Sequence, residues 1–246
     1  DGSVVELSRG AQKARGREFS LRTESGAIIR EALPAYQMPA VKNASGYFAE
    51  DNMDLIDLFI GSEGTLGVIS EAEIRLIPAP SVQWGVTMFL PSEKHAAQLV
   101  QNIRSAPTKK PVAIEFFDSH ALDLLRRQKA ENPAFHEIPD MRPEWHTALY
   151  VESHGESEEV VEAVIMQCSE FMTACGGSED ASWLAPDERE MRRLKFFRHA
   201  VPEAVNLTID QRRKVDPQIT KLGTDLAVPD SELEKVLQLY HTDLEA

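Results

Sequence analysis

The densest run of chemistry-bearing residues is Leu58-Phe59-Ile60-Gly61-Ser62-Glu63-Gly64-Thr65-Leu66-Gly67-Val68-Ile69, preceded by Lys42-Asn43-Ala44-Ser45-Gly46-Tyr47. Glycine reaches positive φ without steric cost, so Gly61, Gly64 and Gly67 let the backbone turn tightly and approach a ligand. Successive N–H groups in such a loop can form a nest for a diphosphate, and the Ser62 and Thr65 hydroxyls add donors. On spacing alone a plain tight turn is the simpler reading. The loop runs into a strand-like pattern rather than a helix, which argues against a dinucleotide fingerprint. The chain has no Gly-Lys-Ser/Thr run of the Walker type.

Other reactive groups are scattered. The seven histidines include no His-x-x-x-His pair and no carboxylate-rich metal spacing. His146 and His154 bracket a strand-like run and read as ordinary surface or loop imidazoles. Cys168 and Cys175 lie seven positions apart on one helical face, too far to bridge, and read as reduced core thiols. Arg198 follows Arg192, Arg193 and Lys195 on a charged helical pattern, where a surface role is the plain reading. A guanidinium fork is also suited to a carboxylate. His199 points about a quarter turn away. No residue of this chain is assigned as a catalytic acid or base.

The elements that must position these groups fall into two stretches. Residues 1–80 are loop-rich, with Asp1 to Leu7 reading as a hairpin turn entering a strand. Ala27 to Arg30 is a strand or the start of a helix, Leu55 to Ile60 a helix or turn, and Ala72 to Leu76 alternates as a half-buried strand. Pro78-Ala79-Pro80 marks the domain boundary. Residues 81–246 alternate. Strands are expected at Trp84–Leu90, Val112–Phe117 and Thr147–Ser153. Helices are expected from Ser92 to Ile103, Ser119 to Gln128, Ser157 to Cys175 and Asp187 to Ala204. A capping box at Ser231 to Glu234 opens the last helix. The helix after Ser157 carries Val160, Val161, Val164, Ile165, Cys168, Phe171, Met172 and Cys175 on one stripe and ends at Gly176-Gly177. Two successive strand-helix-strand units predict an α+β fold, with helices on a mainly antiparallel sheet.

The chain has 246 residues, 42% of them hydrophobic and 27% charged, with 26 Lys+Arg against 40 Asp+Glu for a net charge of −14. That balance disfavours nucleic acid and anionic membrane as bulk partners, and leaves any anionic ligand to a local basic pocket. No apolar run is long enough to span a bilayer. The reduced thiols suit the cytoplasm, at most peripheral to an inner membrane. The start without Met and the uncapped final helix are expected of an internal fragment.

Lys-Asn-x-x-Gly-Tyr followed by Gly-Ser-Glu-Gly-Thr-Leu-Gly-Val-Ile-x-Glu-Ala closely resembles the FAD-linked oxidases of the vanillyl-alcohol-oxidase type, in the D-lactate dehydrogenase, glycolate oxidase and D-2-hydroxyglutarate dehydrogenase branch. Phe197 to Ala204 and Lys221 to Pro229 resemble two segments of that family's substrate (cap) domain. The resemblance implies that residues 1–80 are the C-terminal part of an FAD-binding domain and 81–246 an incomplete cap domain. It implies FAD contacts from Asn43, Tyr47, Gly61, Ser62, Glu63, Gly64, Thr65, Gly67, Val68 and Ile69. It places a substrate carboxylate on Arg198, with Lys221 as a second substrate contact. It implies oxidation of a small D-2-hydroxy acid to the 2-keto acid, an electron acceptor of unknown identity, and a divalent metal and base held by residues outside this chain. Pro202 stands where some relatives carry a hydroxyl residue one turn after the arginine. Two alternatives stay open: a flavoenzyme like the alkyl-dihydroxyacetone-phosphate synthases, and an inactive isolated domain prone to form homo-oligomers through exposed apolar surface.

Overall fold

The structure is a computed structural model and describes residues 2–43 and 45–244. It divides into two compact units, Asp1–Leu76 with Gly223–Glu232, and Ile77–Leu222 with Leu233–Ala246. The segment 223–232 thus groups with the first unit rather than with the neighbours it has in sequence.

The first unit holds a hairpin of β1 (Glu18–Arg22) and β2 (Ile28–Ala32), paired antiparallel from Glu18↔Ala32 to Arg22↔Ile28. The strand reading of residues 27–30 is therefore the correct one. A single-turn helix α1 (Ile56–Phe59) follows. Leu21, Leu33, Ala49, Met53, Leu55 and Leu58 form its small core. Arg17 staples the surrounding loops, its guanidinium bonding Asp51 at 2.7 Å and the carbonyls of Pro34 and Ala49. Two expected strands are absent: residues 2–7 and 66–80 have no regular structure. The alternation at Ala72–Leu76 would bury one face only against a partner strand, and no ladder forms to it among the described residues. Ile74 is 73% and Leu76 80% exposed.

The second unit is built on an antiparallel sheet in the order β4-β5-β3-β6. Its strands are β3 (Val82–Leu90), β4 (Ala113–Phe117), β5 (Thr147–Gly155) and β6 (Ser182–Ala185). Helices α2 (Glu93–Ser105) and α4 (Glu158–Ala174) make two interleaved β-α-β units, β3-α2-β4 and β5-α4-β6. Their apolar stripes cover one sheet face, where Val86, Met88, Leu90, Leu149 and Val151 are buried. The other face carries Phe89, Phe117, Ala148 and Tyr150, under α3 (Ser119–Glu131) and α5 (Glu188–Arg213). The last helix, α6 (Leu233–Leu244), packs on α2, with His241 Nε2 at 2.6 Å from Glu93.

In this unit every expected strand and helix forms and β6 is a further strand that the sequence pattern did not show; several details differ. Val160 is exposed, so the buried stripe of α4 starts at Val161. Ser92 and Ser157 sit at the helix starts but neither side chain caps its helix. Asp118 and Asp187 do cap theirs, accepting from Ala121 N–H at 2.7 Å and Glu190 N–H at 2.9 Å. Helix α5 runs nine residues past the expected end at Ala204, through Pro202. Proline has no N–H, so the Arg198 carbonyl loses its usual donor. Ala204 and Leu207, packed against the core, carry the helix onward.

Cys168 and Cys175 are free and buried, as expected of core thiols. Burial pushes the Cys168 thiol up to about 11 and raises that of Cys175, so neither is a nucleophile near neutrality. The α5 face of the core is an aromatic cluster. Phe197 lies 5.1 Å from Phe117 and 5.4 Å from Trp183, and Phe89 stacks on Trp145 at 3.9 Å. Phe197→Ala should lower stability by about 3–5 kcal/mol, measured by denaturant unfolding, because a fully buried ring leaves a cavity that these neighbours cannot close.

Candidate functional site

In the first unit, α1 delivers the chain into the glycine loop. Gly61 (φ 78°), Glu63 (φ 51°) and Gly64 (φ 78°) all adopt left-handed backbone, and a Cβ added at either glycine would meet open space. The turn is held from inside: Ser62 N–H donates to Phe59 O, and Thr65 N–H to Ser62 O at 3.0 Å. The Thr65 hydroxyl donates to Ser62 O at 2.6 Å, so at the 2.8 Å contact with Tyr47 the tyrosine is the donor. Two amides and one hydroxyl expected to face a ligand are therefore spent on the turn itself. Gly46 (φ 73°) lets the preceding turn pass Tyr36, whose hydroxyl would lie 3.0 Å from an added Cβ.

Loop and turn together line an open cleft of about 810 Å³, to which Asn43, Tyr47, Gly61, Ser62, Glu63 and Thr65 contribute. Gly64, Gly67, Val68 and Ile69 do not line it, and Val68 is 92% exposed. Asp57 and Asp225 join the lining. Asp57 pairs with Arg9 at 2.6 Å and Asp225 with Lys42 at 3.2 Å. Asn43 Oδ1 is buried and has no hydrogen-bond partner among the described residues. The lining carries three carboxylates, Asp57, Glu63 and Asp225, the first and last of them ion-paired, and no lysine or arginine among the described residues lines it, which disfavours a diphosphate. It suits the donor-bearing parts of a nucleotide, its hydroxyls and ring N–H groups, and the Asn43 oxygen is an acceptor of the right kind. The residues present thus fit a flavin nucleotide held by its hydroxyls and rings, and the Ser62 and Thr65 amides serve the plain tight turn that the glycine spacing favours rather than a diphosphate nest.

In the second unit, polar chemistry gathers at one end of the sheet face under α5. Side chains alternate along a strand, so Tyr150, Glu152 and His154 of β5 share that face, and Glu115 of β4 is registered opposite Tyr150. Glu152 is 5% exposed yet fully engaged. The Tyr150 hydroxyl donates to it at 2.5 Å, His154 Nε2 lies at 2.7 Å and Lys195 Nζ at 3.6 Å. Burial alone would raise the Glu152 pKa, but the bonds from Tyr150 and His154 and the charge of Lys195 together hold it below the ordinary carboxylate range. Burial first, and then the neighbouring carboxylate, push the Tyr150 phenol far above its ordinary value.

Arg198 stands one turn after Lys195 on α5, and residues three apart on a helix share a face. Its guanidinium lies 5.7 Å from the centroid of the Tyr150 ring and bonds Glu115 Oε1 at 2.6 Å. Its side chain is 32% exposed, a charge half sunk into the sheet face. Lys221 is exposed on an irregular segment and donates to Asn206 at 3.1 Å. The described contacts of Arg198, with Glu115 and Tyr150, and of Lys221, with Asn206, share no partner. Sequence reading passed over Glu115, Tyr150, Glu152 and Lys195. The available signal was Tyr-x-Glu-x-His on a strand, which puts a phenol, a carboxylate and an imidazole on one face. His154 is thus a member of a network rather than a loop imidazole, while His199 is exposed. No group of three or more His, Cys, Asp or Glu among the described residues could hold a metal ion.

Residues 79–245 match the family model described as FAD linked oxidases, C-terminal domain. A probable mitochondrial D-lactate dehydrogenase of Danio rerio is 30% identical over 204 residues, covering 82% of this chain and 35% of that protein. A D-2-hydroxyglutarate dehydrogenase of Xanthomonas citri pv. viticola is 29% identical over 187 residues, 76% of this chain and 36% of that protein. The chain spans about a third of the length of these relatives. A solved alkyldihydroxyacetonephosphate synthase aligns over 94% of this chain and 49% of its own, at 18% identity and a TM-score of 0.41, too loose a likeness to argue from.

An ionised, hydrogen-bonded Glu152 stabilises the fold fully above the carboxylate's unfolded pKa. That contribution is lost as pH falls through the lower, folded value. Glu152→Gln should therefore be less stable than the native protein near neutral pH, with the gap narrowing under acid. Denaturant midpoints across a pH series would read this, and a gap independent of pH would show that the charge contributes nothing.

Proposed function

From the premise that the chain belongs to the FAD-linked oxidases through their C-terminal domain, we propose that the intact protein is a flavoenzyme oxidising a small D-2-hydroxy acid to the 2-keto acid. The observation that carries this reading is the half-buried Arg198 on α5, a guanidinium on the surface of a chain whose net charge is −14. A carboxylate is drawn to such a centre only by a local, oriented donor, and the guanidinium fork matches it in shape and charge. Relatives named for D-lactate and D-2-hydroxyglutarate share the domain, which supports the acid class.

A bound flavin would supply the two-electron acceptor for the hydride leaving C2. Asn43, Tyr47, Gly61 and Ser62 are the residues of this chain proposed to hold it, through acceptor groups and close backbone approach in the first unit's cleft. Arg198 does three things for the reaction. It selects the carboxylate, fixes the acid by one end, and so converts a bimolecular encounter into an oriented one. The Tyr150 ring beneath it and the Glu152 network behind that ring keep the arginine from collapsing onto the sheet. We assign no proton acceptor within this chain, and Lys221 remains a second, weaker substrate contact in the proposal.

Two outcomes test it. The full-length protein should be purified with a visible flavin spectrum, and Asn43→Ala should lower the bound flavin. Arg198→Ala should reduce kcat/KM for D-2-hydroxy acids by about 2–5 kcal/mol of transition-state binding, toward the lower end because the group is partly solvated. An unchanged rate would remove Arg198 from the site.

A further inference from the structure

Arg198 does not stand alone. Its Nη2 reaches Glu115 Oε1 at 2.6 Å, and Glu115 comes from β4, one of the two edge strands of the sheet. The register sets Glu115 directly opposite Tyr150, and the guanidinium lies 5.7 Å from the centroid of that tyrosine's ring. The arginine is therefore bracketed. Its stem is fixed to α5, its guanidinium has an aromatic ring as a neighbour, and one terminal nitrogen is tied to a carboxylate on a different element. The ring itself cannot swing away, because its hydroxyl is bonded to the buried Glu152.

A long arginine side chain loses much rotamer freedom when it must meet a ligand in one orientation. A carboxylate that already holds one nitrogen removes part of that loss before the ligand arrives. The guanidinium carries five N–H donors, so one bond to Glu115 leaves others for a substrate carboxylate. The pair is also soft enough to share. Glu115 is 39% exposed, so solvent screens its charge and leaves the arginine attractive to an anion.

We propose that Glu115 is a positioning residue for carboxylate recognition: by holding one terminal nitrogen of Arg198 beside the Tyr150 ring, it aims the remaining donors at the substrate. This rests on the reading of Arg198 as the carboxylate anchor. The opposite role is a competitor, in which Glu115 occupies the arginine and must be displaced. The two differ in sign. A positioning carboxylate lowers KM, whereas a competing one raises it.

The test is steady-state kinetics of the full-length flavin-loaded enzyme with D-lactate and with D-2-hydroxyglutarate, comparing Glu115→Ala, Glu115→Gln and Arg198→Ala with the native protein. Glu115→Ala should raise KM by about tenfold, the cost of losing one charge-assisted hydrogen bond, with a smaller change in kcat. Glu115→Gln keeps an acceptor oxygen and should recover most of the KM. Thermal melts of both variants should stay near native, since the Glu115 side chain is partly exposed on an edge strand. A KM that falls or holds still in Glu115→Ala overturns the inference, as does a Gln variant no better than Ala. If Arg198→Ala is itself silent, the anchor reading fails as well. If Arg198→Ala is severe and the Glu115 variants are silent, the inference alone fails.

Discussion

The nine-residue ladder between β3 and β5 is the constraint on which the second unit depends. Val82↔Gly155 through Leu90↔Thr147 pair without a break, and β4 and β6 add to its two sides. Its register decides two things at once. Val86, Met88 and Leu90 meet Val151, Leu149 and the α2 and α4 stripes on one face. Tyr150, Glu152 and His154 are sent to the other. A slip of one residue would turn every side chain over. Glu152 would then enter an apolar layer without Tyr150, His154 or Lys195, and an unpaired buried carboxylate is among the most expensive things a core can hold. Apolar packing and the polar network therefore select the same register.

The network also shows how an acidic chain keeps a cationic centre. Lys195 and Arg198 are each matched to a carboxylate on the sheet, Glu152 and Glu115. The two pairs differ in burial, and that difference divides their roles. Glu152, nearly closed to solvent, holds its protonation state and anchors Tyr150. The Arg198–Glu115 pair sits at the edge of the sheet, where water screens it and a ligand can approach. Pro202 adds a local backbone consequence in the same place, since it frees the Arg198 carbonyl from its helical donor without ending α5.

The first unit works by different physics. Its core is small, and its loops are held by side chains such as Arg17 and by the internal bonds of the glycine turn. Left-handed backbone at Gly61, Glu63 and Gly64 opens a cleft, and the carboxylates of Asp57, Glu63 and Asp225 set its electrostatic character. That character favours donors over phosphate. Glycine spacing describes the backbone freedom of a loop; the charges that line the resulting cleft decide what it can hold.

Periodicity in the sequence determined the α+β class, three of the four strands and all the α-helices from residue 82 onward, the buried stripe of α4 and the thiols within it; the short edge strand β6 gave no such pattern. These follow from local patterns that burial on one face imposes. The motif at Gly61–Ile69 and the Arg198 segment were legible as well, the former through backbone chemistry and both through family likeness. Tertiary structure alone decided the rest. The strand expected at Ala72–Leu76 has no partner, because alternation specifies a face but not what covers it. Segment 223–232 joins the first unit, although its sequence neighbours belong to the second. Glu115, Tyr150, Glu152, Lys195 and Arg198 meet only because β4, β5 and α5 are packed in one register. Glu115 and Lys195 carry no signal in their own stretches of sequence, and the chemistry of all five arises from distances that no local pattern encodes.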